Sequence, residues 1–320
     1  MVIEFLILLI LVTAASALLS YGAETFAEKF GTQFAGSIVL ALITTLPEYM
    51  FVFWAAMKGQ YEMAVGSAIG ACTLLITLGY GAVIIFATTR ISRKPVSVVE
   101  LSSGTRIDAW YLLVTAVIAL LLAWEGGGLD LKDGILLTLV FIIYVAQLGR
   151  RALHFARNDD NIPPPRKRMV IAISFLLAGG IGVVLLSEPF VDSMLHLART
   201  VGISPMAIAL ILGPFASEMP EKITAYITVI RNGSLAEISI CNFIGSKVNH
   251  NSMLLAILPL VAHFQGKSDV PGIISWPFMI MTILTVFAAM SLARRRLVLW
   301  QGFLFVALYL AIIWGAYIVR

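Results

Sequence analysis

Two glutamates stand where a glutamate is costly to keep. Glu48 follows Pro47 and Glu221 follows Pro220, and each pair lies inside an apolar block of helix-spanning length. Proline inside a helix removes a backbone donor and clashes with the carbonyl four residues earlier, so each pair marks a kink or a break. In hydrocarbon the carbonyls freed by a break need a partner, and a cation can be one. The carboxylate directly after the break adds a charged oxygen beside them. Hydroxyls lie close by in sequence, Thr44 and Thr45 before Glu48 and Ser217 before Glu221. Facing one another, two such elements offer the hard oxygen donors that a divalent cation such as Ca2+ takes, roughly six to eight in all. A single kinked span with one glutamate would read as a structural pair. Two in the same arrangement read as an ion site.

The second motif is the more heavily charged. Glu218 and Lys222 are four apart and can pair on one helix face, whereas a break at Pro220 would turn Glu218 toward a cavity. Ser246 and His250 are also four apart and share a face, and Lys247 and Asn251 share the adjacent one. Lys247 reads either as a tethered cation that holds the carboxylates between ions or as a structural partner that neutralises Glu218. His250 titrates near neutrality, which suits proton coupling, or is simply hydrogen-bonded between helices. Lys222 reads as a pairing or snorkelling residue, and Tyr49 and Met219 as packing.

The elements that must position these groups are membrane spans. Only 12% of the 320 residues are charged and 60% are hydrophobic, against about a quarter charged in a soluble domain. The apolar blocks run approximately over 2–28, 33–57, 62–88, 109–124, 133–153, 168–195, 203–229, 234–263, 271–292 and 297–319. The first reads as a retained helix rather than a cleaved signal, because Glu4 precedes the apolar run and no basic residue does. Ten spans place the odd-to-even loops on one side, and those loops hold 15 of the 22 basic residues, from Lys29 and Arg90 to Arg294, Arg295 and Arg296. Lys58, Lys132, Arg199, Lys267 and Arg320 fall on the other side. The bias puts the basic loops in the cytoplasm and both termini outside. The positive charge is thus a topology signal, and nothing points to a nucleic-acid partner. Cys72 and Cys241 fall inside spans without metal-ligand spacing and read as buried free thiols.

The spans repeat. Ala41 to Glu48 is followed by Gly66-Ser-Ala-Ile-Gly70, and Ala216 to Glu221 by Cys241-Asn-Phe-Ile-Gly245. In both halves a basic residue, Lys58 or Arg231, lies ten positions after the glutamate. From glutamate to Ile-Gly is 22 residues in one half and 24 in the other, and Gly134-Ile-Leu-Leu matches Gly302-Phe-Leu-Phe. Five spans per copy is an odd number, so the second copy is inverted. The expected fold is an all-α membrane protein of ten transmembrane helices, two inverted five-helix repeats with helices interrupted at the Pro-Glu motifs. The first repeat spans 1–156, the Arg- and Pro-rich 157–167 is a cytoplasmic linker, and the second repeat spans 168–320. Inverted repeats with broken helices are secondary-transporter architecture, with the site at mid-membrane between the copies.

At these residues the chain resembles the sodium/calcium exchanger family of the Ca2+:cation antiporter superfamily along nearly its whole length. That family carries Gly-Thr-Ser-Leu-Pro-Glu and then Gly-Asn-x-Ile-Gly-Ser in each repeat. Here the first motif reads Ile43-Thr44-Thr45-Leu46-Pro47-Glu48, with Gly36 also at a family spacing, and the second Ala216-Ser217-Glu218-Met219-Pro220-Glu221. The resemblance implies that Glu48 and Glu221 are the central cation ligands, with Thr44 and Ser217 assisting. Departures fall in the third and eighth blocks. Family oxygen ligands land on Ala71 and Leu75, Ser246 is kept, the family's acidic position falls on His250, and Lys247 and Glu218 stand where Asn and Ser are usual.

The resulting reading is a secondary active cation antiporter exchanging Ca2+ or a similar cation for H+ or Na+, leaning to H+ because sodium-type ligands are lost and His250 is present. It expects inorganic cations and the bilayer as partners and no cofactor. A second reading keeps the fold but carries a monovalent cation, or another substrate such as an anion, because of Lys247 and His250. A third is a degenerate homologue that does not transport. An intramembrane enzyme has little support, since the chain offers no Gly-x-Ser-x-Gly, no His-Glu-x-x-His and no paired intramembrane aspartates.

Overall fold

The computed structural model describes residues 2–27, 42–156 and 165–318. Lys29, Gly36, Arg157 and Arg320, and with them most of the expected linker, lie outside the described residues. The rest is almost wholly helical. Helix α1 (Val2–Ala27) is followed, after residues 42–44 and a turn at Thr45, by α2 (Leu46–Met57). Next come α3 (Tyr61–Leu74), a π-helical turn at Leu75–Gly79, and α4 (Tyr80–Thr88). Helices α5 (Ser103–Gly126) and α6 (Leu131–Ala156) complete this part, and α7 (Arg166–Val201) opens the next. Helices α8 (Pro205–Ser217) and α9 (Met219–Arg231) meet at Glu218. Then follow α10 (Ala236–Asn249), a second π turn at His250–Leu254, α11 (Leu255–Phe264), α12 (Trp276–Ala293) and α13 (Leu299–Ile318).

Six described stretches are long and apolar enough to cross a membrane, and they include α1, α3 continued into α4, α5 and α7. Their burial sorts centre from rim. Tyr61–Thr88 is 83% buried, whereas Arg166–Val201 is 17% buried, with Leu177, Ile181 and Leu185 turned outward for lipid. The α3–α4 rod is therefore the middle of the molecule, and α1 with α7 forms a packed pair at its edge. The other extensive pairings are α3 with α8, α5 with α12, α4 with α13, α2 with α7, and α6 with α11.

These pairings follow one pattern. Gly134 of α6 meets Ala256 and Pro259 of α11, and its sequence counterpart Gly302 of α13 meets Gly81 and Ile84 of α4. Two short antiparallel ribbons tie the connecting loops. Strand β1 (Val99–Glu100) pairs with β4 (Arg296–Leu297), and β2 (Gly128–Asp130) pairs with β3 (Asp269–Pro271). Each ribbon joins a loop of one half to a loop of the other. Because β3 ends at Pro271 and irregular backbone follows it, α12 begins at Trp276 rather than at the start of the ninth apolar block. At the end of α2, the Lys58 ammonium reaches Asp192 and Glu188 of α7, each at 3.0 Å, and these bonds hold it above the ordinary lysine range.

Small residues set the closest approach. A Cβ on Gly66 would lie 2.4 Å from the Met206 carbonyl oxygen, and one on Gly70 would lie 2.1 Å from that of Leu210. Both neighbours are backbone, so α3 and α8 touch only because these positions are glycine, as in small-xxx-small membrane contacts. Gly70→Ala is expected to destabilise the protein by about 1–3 kcal/mol through overpacking, read as a lower melting temperature in detergent. Gly126→Ala, where nothing lies within 4 Å of the new atom, is expected to leave it unchanged.

Candidate functional site

Neither helix breaks at its proline. Thr45 forms the turn before α2 and Glu218 the junction before α9, so Pro47 and Pro220 each occupy the second position of a new helix. There an amide has no intrahelical acceptor, and proline is tolerated without strain. The breaks thus fall two residues earlier than the prolines alone suggest. Proline still denies a donor to the carbonyls of Ile43 and Ala216, four residues back. Glu48 and Glu221 lie in the first turns of α2 and α9, where the positive ends of the helix dipoles favour a carboxylate.

The two breaks face and cross one another. Thr44, from the first break, lies beside Glu221, and Ser217, from the second, lies beside Glu48, the Ser217 hydroxyl donating to the Gly213 carbonyl at 3.2 Å. Asn242 of α10 donates to Glu221 Oε1 at 2.5 Å. Glu48 and Glu221 are 2% and 5% exposed, so this is an interior site. Glu48 Oε2, Asn242 Oδ1 and Ser246 Oγ are buried without a hydrogen-bond partner among the described residues. Buried polar oxygens are normally satisfied. Open oxygens of this kind are what a hard cation takes, and Asn242 carries its own beside Glu221 while Glu48 carries one on its carboxylate.

The second break adds charge. Glu218, Glu48 and His250 each bring one ligand atom to within 4.8 Å of the others. His250, the first residue of the second π turn, places Nε2 3.4 Å from Glu218 Oε1. Glu218 also pairs with Lys222 through Oε2, and the Lys222 ammonium lies 3.4 Å from the Glu218 carbonyl oxygen. Pairing and facing the site are therefore not alternatives for Glu218, because the break at its own backbone lets one carboxylate do both.

Not every expected group converges. Among the described residues Lys247 makes no direct ion pair with Glu218: its Nζ donates to Asn251 Oδ1 at 2.7 Å, beside Cys72, with the Glu218 charge nearby. The ammonium on the carboxylate is that of Lys222, which is fully buried and does not snorkel. Thr45 turns from the glutamates and accepts from Asn249 Nδ2 at 2.9 Å, and Tyr49 donates to Asn249 Oδ1. Tyr49 is thus a tie between α2 and α10 and not packing alone. Lys222 joins as the partner of Glu218 that the four-residue spacing allowed. Asn242 and Asn249 join without having been singled out, although Asn242 sits in the Asn-Phe-Ile-Gly segment that could have pointed to it. Ala71 and Leu75 are buried and supply no side-chain oxygen. Both cysteines are free, Cys72 buried and Cys241 only partly so.

The sodium/calcium exchanger protein family matches residues 1–148 and 171–318, which covers both halves. An uncharacterized membrane protein of Methanocaldococcus jannaschii is 28% identical over 310 residues, 96% of this chain and 94% of its own. Among solved structures, the H+/Ca2+ exchanger CAX superposes with a TM-score of 0.79 at 22% identity, covering 97% of this chain and 80% of that one. The sodium-calcium exchanger NCX_Mj gives 0.70 at 24% identity over 98% and 97%. At these identities the structural likeness establishes the fold.

The Tyr49–Asn249–Thr45 link should be measurable by thermal unfolding in detergent. Asn249→Ala removes both bonds at once and is expected to cost about 1–3 kcal/mol, while Tyr49→Phe costs about 1 kcal/mol. Melting temperatures unchanged in both variants would mean that the link contributes nothing.

Proposed function

The chain belongs to the sodium/calcium exchanger protein family, and from that premise we propose that it is a secondary active cation antiporter working by alternating access. Its site is the crossing of the two breaks, where Glu48 and Glu221 hold the cargo with Thr44, Ser217 and the open oxygens of Asn242 and Ser246. The observation that carries this reading is the meeting of Glu48 from the first break with Glu218 and His250 from the second half, one ligand atom of each within 4.8 Å of the others. The cluster is assembled from both halves, so separating the halves would dismantle it, as alternating access requires. The cargo is Ca2+ or a similar cation exchanged for H+ or Na+, with H+ preferred. That preference rests on His250 at the carboxylates and on apolar Ala71 and Leu75, where sodium-type ligands would stand. The matched relatives named for their activity are exchangers, which favours transport over intramembrane catalysis.

The same reading makes the chain two inverted five-helix repeats, 1–156 and 168–320, joined by 157–167. The reciprocal loop ribbons, the paired π turns and the equivalent contacts of Gly134 and Gly302 support it. The basic loops then lie in the cytoplasm and both termini outside. One observation favours a monovalent cargo instead, the ammonium of Lys222 within the site.

Reconstitution in proteoliposomes tests the proposal. Glu48→Gln keeps the side chain's shape and removes its charge, and it is expected to lower Ca2+ uptake at least about a hundredfold, since stranding the partners of a buried charge costs roughly 3–5 kcal/mol. The protein should remain monodisperse. Uptake equal to the unmodified protein would favour a homologue that does not transport through this site.

A further inference from the structure

The ion pair of Glu218 and Lys222 has no counterpart in the first half. In the matched motifs Thr45 stands where Glu218 does and Tyr49 where Lys222 does. Those two residues make a neutral hydrogen-bonded set with Asn249, whereas Glu218 and Lys222 make a charged pair that is 1% and 0% exposed. A buried ion pair is weak support for stability, because desolvating both charges offsets their attraction. Ionisable residues inside a membrane are retained chiefly for function.

The surroundings of the ammonium resemble an ion's. Lys222 Nζ meets a carboxylate oxygen of Glu218 and, at 3.4 Å, the Glu218 backbone carbonyl at the helix break. Interrupted helices offer such carbonyls to small cations. The face of the buried Phe243 ring closes the far side, 5.5 Å from Nζ. On the near side the same Glu218 carboxylate comes within 4.8 Å of Glu48.

We propose that Lys222 is a specificity-determining residue: its ammonium occupies a cation position on Glu218 and excludes Na+ from it, leaving Glu48 and Glu221 for the transported cation. The inference rests on the antiporter reading of the site and adds to it a resident cation that makes exchange at this position independent of Na+. The charge that Glu218 brings is satisfied within the chain, so no second inorganic ion is needed there.

The test uses the full-length protein in detergent, comparing Na+ with N-methylglucamine in the absence of Ca2+. Lys222→Met vacates the position and leaves the carboxylate. It is expected to gain a Na+-induced rise in melting temperature of about 3 °C or more over the wild-type response. The double variant Glu218→Gln/Lys222→Met should lose that gain. A Na+ response in Lys222→Met no larger than in wild type would overturn the proposal. Should Lys222→Met fail to fold, Glu218→Gln decides, because it strands a fully buried ammonium next to the cargo site. Ca2+ affinity is expected to fall about tenfold or more and to recover in the double variant, and an affinity equal to wild type would overturn the proposal. The melting readout needs no transport, so a wild type that moved no Ca2+ would defeat the antiporter reading while leaving this inference to stand or fall by its Na+ response.

Discussion

Three carboxylates, Glu48, Glu218 and Glu221, are held at the buried centre of a chain whose outer surface is made for lipid. Charge in such a place is tolerated only where dipoles, hydrogen bonds or opposite charge replace the lost water. Much of the architecture answers that demand. The two breaks deliver the dipoles, because each ends one helix and starts another immediately beside a glutamate. The prolines fix where the new helix begins. Hydroxyl residues of the opposite half lie beside the glutamates, the Asn242 amide donates to Glu221, and Lys222 supplies a charge. The glycines of α3 let α8 come close enough to place the second break beside the central rod.

The site is consequently shared and unequal. Each half places a hydroxyl residue beside the other's glutamate, which makes the carboxylate environment a property of how the halves sit together. Yet the first break is surrounded by neutral groups, Thr45, Tyr49 and Asn249, and the second by Lys222 and His250. The charged groups that surround the carboxylates therefore come from the second half, while Glu48 contributes an oxygen that is left open.

Much of this was legible in the sequence because block length and residue type carry it. Helix-length apolar runs gave the long apolar helices, and the paired Pro-Glu motifs pointed to where the two helix breaks bring Glu48 and Glu221 into the interior. Three features were not legible, each for a physical reason. The position of a break depends on where the new helix caps itself, and proline at the second helical position shifts it to Thr45 and Glu218. The π turns at Leu75–Gly79 and His250–Leu254 have no residue signature here, and by widening the helix they rotate everything after them. Which lysine meets Glu218 depends on neighbouring helices: the i,i+4 spacing allowed Lys222, and only packing directs Lys247 to Asn251 and Cys72. Tyr49 escaped for the same reason, its partner lying 200 residues away.

The most direct test of antiport through the paired carboxylates is the driving force for Ca2+ uptake in proteoliposomes, with pH and Na+ gradients imposed separately. The account predicts uptake driven by a pH jump and indifferent to a Na+ gradient. Uptake driven by Na+ alone, or no movement of any inorganic cation under either gradient, would contradict it.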